Sequence, residues 1–205
     1  AGSIISECDE NLNVRGYVTN PGTELPLNSQ GKLDVKSYVG KTGSIQVTKD
    51  LGNGKIFSGQ SPIISGELGE DFAHYLAASE QINSAVAVGV LIEKLDNVLK
   101  AGGYIVEVLP GVTDEELSQL EEKISKLPHF TTLLTENENL EQIAKKILGD
   151  FDVVLERNVS YKCGCTKQSA GRAIDVLGQK EKESIKREYG KLEVICNYCK
   201  KVYNY

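Results

Sequence analysis

Cys163 and Cys165 flank a single glycine, and Cys196 and Cys199 flank an Asn-Tyr pair about thirty residues later. Four of the five cysteines therefore fall in the last 43 positions, as two close pairs. Zinc takes four soft donors at tetrahedral corners, with thiolates about 2.3 Å from the metal. Gly164 and Asn197 are turn formers, so each pair can present two sulfurs across one tight turn. The spacing predicts a closed four-thiolate site holding one zinc per chain, with no histidine ligand. Free thiols and a disulfide pair are the competing readings of the same residues.

The remaining chemistry-bearing side chains do not assemble into a site. Cys8 lies outside the pairs and reads as a small buried residue near a strand end. His74 and His129 lack metal spacing to any cysteine. Glu67, Glu70 and Asp71 form an acidic cluster without a partner base or nucleophile, which suits turn and helix-start roles. Gly102-Gly103 lacks the third glycine and following helix of a dinucleotide loop. Nothing here points to an enzyme.

Charge separates the metal stretch from the rest. The chain has 205 residues and a net charge of −6. Residues 159–205 carry ten Lys or Arg against five Asp or Glu, and the other 158 positions thirteen against twenty-four. A zinc with four thiolates is formally dianionic, so Lys162, Lys167, Lys200 and Lys201 suit its surroundings. No stretch of eighteen apolar residues exists, so no membrane helix is expected. Clustered cysteines with no export signal fit a reducing compartment, and the expected location is the cytoplasm. The absence of methionine and the start at Ala1 suggest part of a longer protein.

The elements that must position the pairs follow from patterning. Val14–Val18 reads as a strand ending at Asn20-Pro21-Gly22. Residues 43–48 and 56–59 form a hairpin around Asp50–Gly54. Residues 70–81 take helical spacing, with Phe72, Leu76 and Tyr75 on one side. Val86–Ile92 and Tyr104–Leu109 are apolar strands, the second preceded by Ala101-Gly102-Gly103. Thr113 and Glu116 form a capping box before a stripe of Leu117, Leu120, Ile124 and Leu127, which Pro128 stops. Thr135 and Glu138 repeat the pattern before Leu140, Ile143, Ile147 and Leu148, closed by Gly149. On pattern alone these two read as ordinary surface helices with acidic outer faces. Beyond them come helices near 169–177 and 180–189, then a strand at 192–195 leading into the second pair. The class is α+β, with a predominantly antiparallel sheet-and-helix core over residues 1–110. A helical linker spans 111–158, and a small four-cysteine zinc module spans 159–205. So small a module buries too little to fold alone, so metal binding would supply its folding energy.

Ser65-Gly66-Glu67-Leu68-Gly69-Glu70-Asp71-Phe72, Ser79-Glu80-Gln81 and Ala101-Gly102-Gly103, together with the two cysteine pairs, resemble the 33 kDa chaperonin family of redox-regulated holdases. The resemblance runs over essentially all of residues 1–205. Ala1 matches a point inside the family's first domain and Tyr205 stops short of its tail, so an N-terminally incomplete copy is expected. The resemblance implies zinc on Cys163, Cys165, Cys196 and Cys199 in the reduced form. On oxidation it implies disulfides of Cys163 with Cys165 and of Cys196 with Cys199. It further implies ATP-independent binding of unfolding client proteins, a homodimer when oxidised, and a linker that detaches. Two other functions compete on the residues alone. The basic segment suits a nucleic-acid-binding zinc module, although Tyr161, Tyr189, Tyr198, Tyr203 and Tyr205 form no stacking pattern. Cys196 and Cys199 suit a thiol oxidoreductase, but that needs a helix starting directly after Cys196, where the sequence reads as a hairpin turn.

Overall fold

The computed structural model describes residues 2–22, 25, 27–29, 33–93, 97–136 and 139–205. Contacts divide the chain into two compact units, Ala1–Thr23 with Val153–Tyr205, and Glu24–Asp152. The three sequence segments follow different lines. The first strands join the C-terminal cysteines, and residue 110 marks no boundary between units.

The discontinuous unit starts with strands β1 (Ile4–Cys8) and β2 (Asn13–Val18), paired antiparallel. Asp9 shapes their turn, its carboxylate accepting from the Asn11 and Asn13 amides at 2.9 Å each. Cys8 ends β1 as expected, but its side chain is exposed rather than buried, because β1 is the edge strand of a small sheet with no layer covering it there.

Strands β3 (Ser44–Asp50) and β4 (Ile56–Pro62) of the continuous unit form the expected hairpin, turning through Gly52, Asn53 and Gly54 at positive φ. A short helix α1 (Val35–Val39) precedes them, capped by Asp34. Helix α2 (Leu68–Tyr75) continues into a π-helical turn, Leu76–Glu80. Its buried side chains are Asp71 and Tyr75, whereas Phe72 is exposed, contrary to the expected apolar side. Asp71 has no contact with solvent and accepts from the amides of Ile64, Ser65 and Gly66 at 2.9, 2.9 and 3.0 Å. The acidic residue of the Ser65–Phe72 motif is thus a loop clamp. A Cβ at Gly69 would lie 2.7 Å from the Val86 carbonyl, so glycine is what lets α2 approach the next strand.

Strands β5 (Ser84–Ile92) and β6 (Val98–Glu107) pair antiparallel. Ala101-Gly102-Gly103 lies inside β6 rather than ahead of it. The glycines fit close neighbours. A Cβ on Gly103 would come 2.5 Å from the Ala87 carbonyl, and one on Gly102 would press on Phe130 and Leu134. Antiparallel pairing dominates, but as separate ribbons rather than one sheet.

Helix α3 (Asp114–Ser125) has the expected Thr113–Glu116 capping box. Leu117, Leu120 and Ile124 line one wall of a cleft of about 370 Å³, facing Ala73, Ala77, Val106 and Val108. Helix α4 (Phe130–Glu136) was not expected, since seven residues after a proline give only two turns of pattern. It contributes Phe130, Leu133 and Leu134 to a buried cluster completed by Ile143 and Ile147 of helix α5 (Leu140–Leu148). Ala87, Tyr104, Val106, Ile124 and Leu127 pack against that cluster. The stretch 130–148 is therefore core, not a pair of surface helices. Asn139 caps α5, accepting from the Gln142 amide at 3.0 Å, while Thr135 lies within α4 and Glu138 lies outside the described residues. Gly149 ends α5 at positive φ, as expected.

Candidate metal centre

Both cysteine pairs belong to the discontinuous unit. The first follows β7 (Ser160–Tyr161), which runs parallel to β2 and carries hydrogen bonds from the Ser160 amide to the Leu12 carbonyl and from the Lys162 amide to the Val14 carbonyl. Directly after Cys165, Thr166 caps helix α6 (Lys167–Asp175). Gly178 starts helix α7 (Gln179–Tyr189) rather than only ending the helix before it, and Gly190 closes α7 at positive φ. The second pair occupies the turn between β8 (Glu193–Ile195) and β9 (Val202–Asn204). The Cys196 amide donates to the Lys201 carbonyl and the Lys200 amide to the Cys196 carbonyl, with Lys200 at positive φ. Helix α6 packs on β8, and Ile174, Leu192 and Tyr203 are the buried apolar side chains here. That is a small core, as the sequence implied.

The four sulfurs lie within 4.8 Å of one another. Sγ of Cys163 is 3.7 Å from that of Cys196, and Sγ of Cys165 is 3.4 Å from that of Cys199. Tetrahedral zinc–thiolate bonds of about 2.3 Å require edges of about 3.8 Å, so the donor set fits the metal. All four are free thiols. Both of these separations join one pair to the other, as expected for sulfurs around a common centre. Among the described residues, no histidine or carboxylate belongs to the cluster.

The thiols are electrostatically unequal. Burial raises the pKa of Cys196, but amide hydrogen bonds from Cys199 and Tyr198 outweigh it and bring the thiol down to about 7. At Cys199 the Lys201 amide favours ionisation, yet the neighbouring sulfurs, Cys165 foremost, push the thiol up to about 11. One thiolate forms readily and discourages the next, so a divalent cation is the natural counter-charge for full ionisation.

Tyrosines fix the surroundings. The Tyr203 hydroxyl donates to the Cys165 carbonyl at 3.0 Å and stands 3.2 Å from its sulfur. Tyr161 donates to the Tyr198 carbonyl at 3.3 Å. Tyr198, between the two cysteines of the second pair, donates its hydroxyl to Glu7. Glu7 first and burial second push its phenol up to about 12, so it stays a donor. No local pattern points to Glu7 or Arg15 as neighbours of the thiols, because Glu7 and Tyr198 lie 191 positions apart.

Residues 197–199 form a turn and β9 follows, so no helix begins after Cys196 and the oxidoreductase arrangement is absent. His74 lies in the last turn of α2, and His129 precedes α4 with its carbonyl accepting from Thr132 and Leu133. Both belong to the continuous unit. No described helix is long and apolar enough to cross a membrane.

Comparison with known proteins agrees with this geometry. A family model described as Hsp33 protein matches residues 1–205. The chain is 44% identical over 206 residues to the 33 kDa chaperonin of Staphylococcus epidermidis, covering all of this chain and 70% of that one. It is 43% identical over 208 residues to the 33 kDa chaperonin of Listeria monocytogenes, covering 71% of that protein. The crystal structure of the 33 kDa chaperonin from Thermotoga maritima matches with a TM-score of 0.88 at 38% identity, over 98% of this chain and 69% of that one. With the motif, the converging thiols and the match over its whole length in agreement, the chain belongs to the Hsp33 family.

Proposed function

We propose that this chain is a redox-regulated, ATP-independent holdase that binds unfolding client proteins in the cytoplasm under oxidative stress. It is a chaperone, not an enzyme. The observation that carries the reading is the convergence of four thiols from two turns in a unit whose buried apolar side chains, among the described residues, are Ile174, Leu192 and Tyr203. Cys163, Cys165, Cys196 and Cys199 would hold one zinc per chain in the reduced form. When bound, zinc supplies folding energy on the order of 10–16 kcal/mol to this small module.

Oxidation removes the donors. Peroxide takes two electrons from one thiolate and leaves a sulfenic acid, and a neighbouring thiolate displaces its oxygen as water to form a disulfide. We assign the bridges as Cys163 with Cys165 and Cys196 with Cys199. Each closes a loop of only a few residues and constrains almost nothing distant, whereas the four-thiolate centre ties segments about thirty residues apart. The module then loses its order and offers its own apolar side chains, Ile174, Leu192 and Tyr203, to clients; heat added to oxidation loosens the Leu117–Leu127 stripe as well, and the oxidised chain pairs as a homodimer.

One experiment tests this: metal content, free thiols and suppression of client aggregation measured on the same sample before and after peroxide. The expected result is one zinc and no suppression before, and no zinc, four fewer thiols and ATP-independent suppression after. Equal suppression in both states would overturn the reading.

A further inference from the structure

Tyr198 sits between two of the four thiol ligands, yet its side chain turns to the N-terminal hairpin. Its ring meets Tyr17 edge-on, with centroids 4.8 Å apart at 85°, and the Arg15 guanidinium lies 4.2 Å from its centre. Arg15 faces Glu7 across the β1–β2 register and donates to its carboxylate from Nε at 2.8 Å and from an Nη at 2.6 Å. The Tyr198 hydroxyl donates to the other oxygen of the same carboxylate. Glu7, Arg15 and Tyr198 therefore form a closed ring of contacts, each holding the other two.

The first cysteine pair is moored to the same ribbon. Residues Ser160 and Tyr161 pair with Asn13 and Val14, and the Lys162 amide reaches the Val14 carbonyl at 3.0 Å, one residue before Cys163. Tyr161 binds the Tyr198 carbonyl as well, linking the two moorings. The separation between the two turns is thus set by a shared template that is not itself a ligand.

We propose that the β1–β2 hairpin, acting through Arg15, Glu7 and Tyr198, is a positioning element of the thiol centre that sets how fast oxidants dismantle it. This deepens the chaperone reading and rests on it. Without the latch the two turns separate more readily, and the sulfurs spend more time away from a common centre.

The test uses the whole chain with zinc bound and a chromogenic chelator in solution. Zinc release is timed with chelator alone and with added peroxide, for the parent, Tyr198→Phe, Arg15→Gln and Arg15→Lys. Tyr198→Phe removes only the hydroxyl that binds Glu7, so it keeps the experiment decisive if Arg15→Gln fails to fold. Second-sphere changes shift metal-site properties by about tenfold. Both Tyr198→Phe and Arg15→Gln should still bind one zinc and release it about tenfold faster under peroxide. Arg15→Lys, which keeps the charge but not the fork, should fall between them and the parent. Rates within twofold of the parent for Tyr198→Phe and Arg15→Gln would overturn the latch. A parent that binds no zinc, or keeps it under peroxide, would instead overturn the chaperone reading.

Discussion

The ring of Phe130 meets that of Tyr104 edge-on, with centroids 5.6 Å apart and planes at 73°. This pair keys α4 to β6 at the point where Gly102 leaves room for the phenylalanine. Phe130→Ala should cost about 3–5 kcal/mol, the usual range for truncating a buried aromatic. The loss should appear in denaturant unfolding of the continuous unit, with zinc content unchanged because the thiols lie in the other unit. An effect below about 1 kcal/mol would mean that residues 130–148 are the loosely held helices the sequence allowed.

That ambiguity shows where sequence reading stopped. Hairpins and caps were legible because their causes are local: Gly52-Asn53-Gly54, the Thr113–Glu116 box and Gly149 each act within a few positions. The four thiols were legible because metal chemistry dictates spacing. The role of α4 was not, since Phe130, Leu133 and Leu134 become core only through β5 and β6, more than twenty positions earlier. Cys8 was misplaced for a related reason, because burial depends on a covering layer that no local pattern encodes. The Glu7–Arg15–Tyr198 ring joins the two ends of the chain and leaves no local trace.

Asp71 gives the continuous unit a defined acid limit. Burial alone would raise its carboxyl, but hydrogen bonds from the amides of Ser65, Ile64 and Gly66 and from the Ser65 hydroxyl together hold it below the ordinary aspartate value. A carboxylate with a depressed folded-state pKa stabilises fully above its unfolded value and loses that contribution as pH falls through the folded one. Stability of this unit should therefore decline below about pH 4. Asp71→Asn should cost about 1–3 kcal/mol at neutral pH and flatten the acid limb. Urea midpoints for both proteins between neutral and acidic pH check this, and parallel curves would contradict it.

Cys8 should be dispensable. It is exposed at the end of β1 and lies outside the thiol cluster. Cys8→Ser should change stability by less than about 0.5 kcal/mol, as for other surface substitutions. Zinc content and peroxide-triggered suppression of aggregation should match the parent. Loss of switching would show that a fifth thiol takes part.

The switch makes a prediction that can be mapped along the chain. With zinc bound, amides of residues 159–205 should be protected from hydrogen exchange, because the metal supplies what Ile174, Leu192 and Tyr203 cannot. Peroxide should leave bridges 163–165 and 196–199, identified by mass spectrometry of peptides, and protection should fall throughout 159–205. The Val14 amide should lose protection with them, since β7 is its pairing partner, whereas the Asn13 amide keeps its bond to Asp9. The continuous unit should stay protected at ambient temperature, because the cluster of Phe130, Leu133, Leu134, Ile143 and Ile147 needs no metal. Heat added to oxidation should then loosen the helices around Leu117–Leu127 and Leu140–Leu148. Unchanged protection of 159–205 after oxidation would refute an unfolding switch. A bridge between pairs, such as Cys165 with Cys199 whose sulfurs are 3.4 Å apart, would account for that result. It would keep the two turns clamped as zinc does, and the peptide map would reveal it.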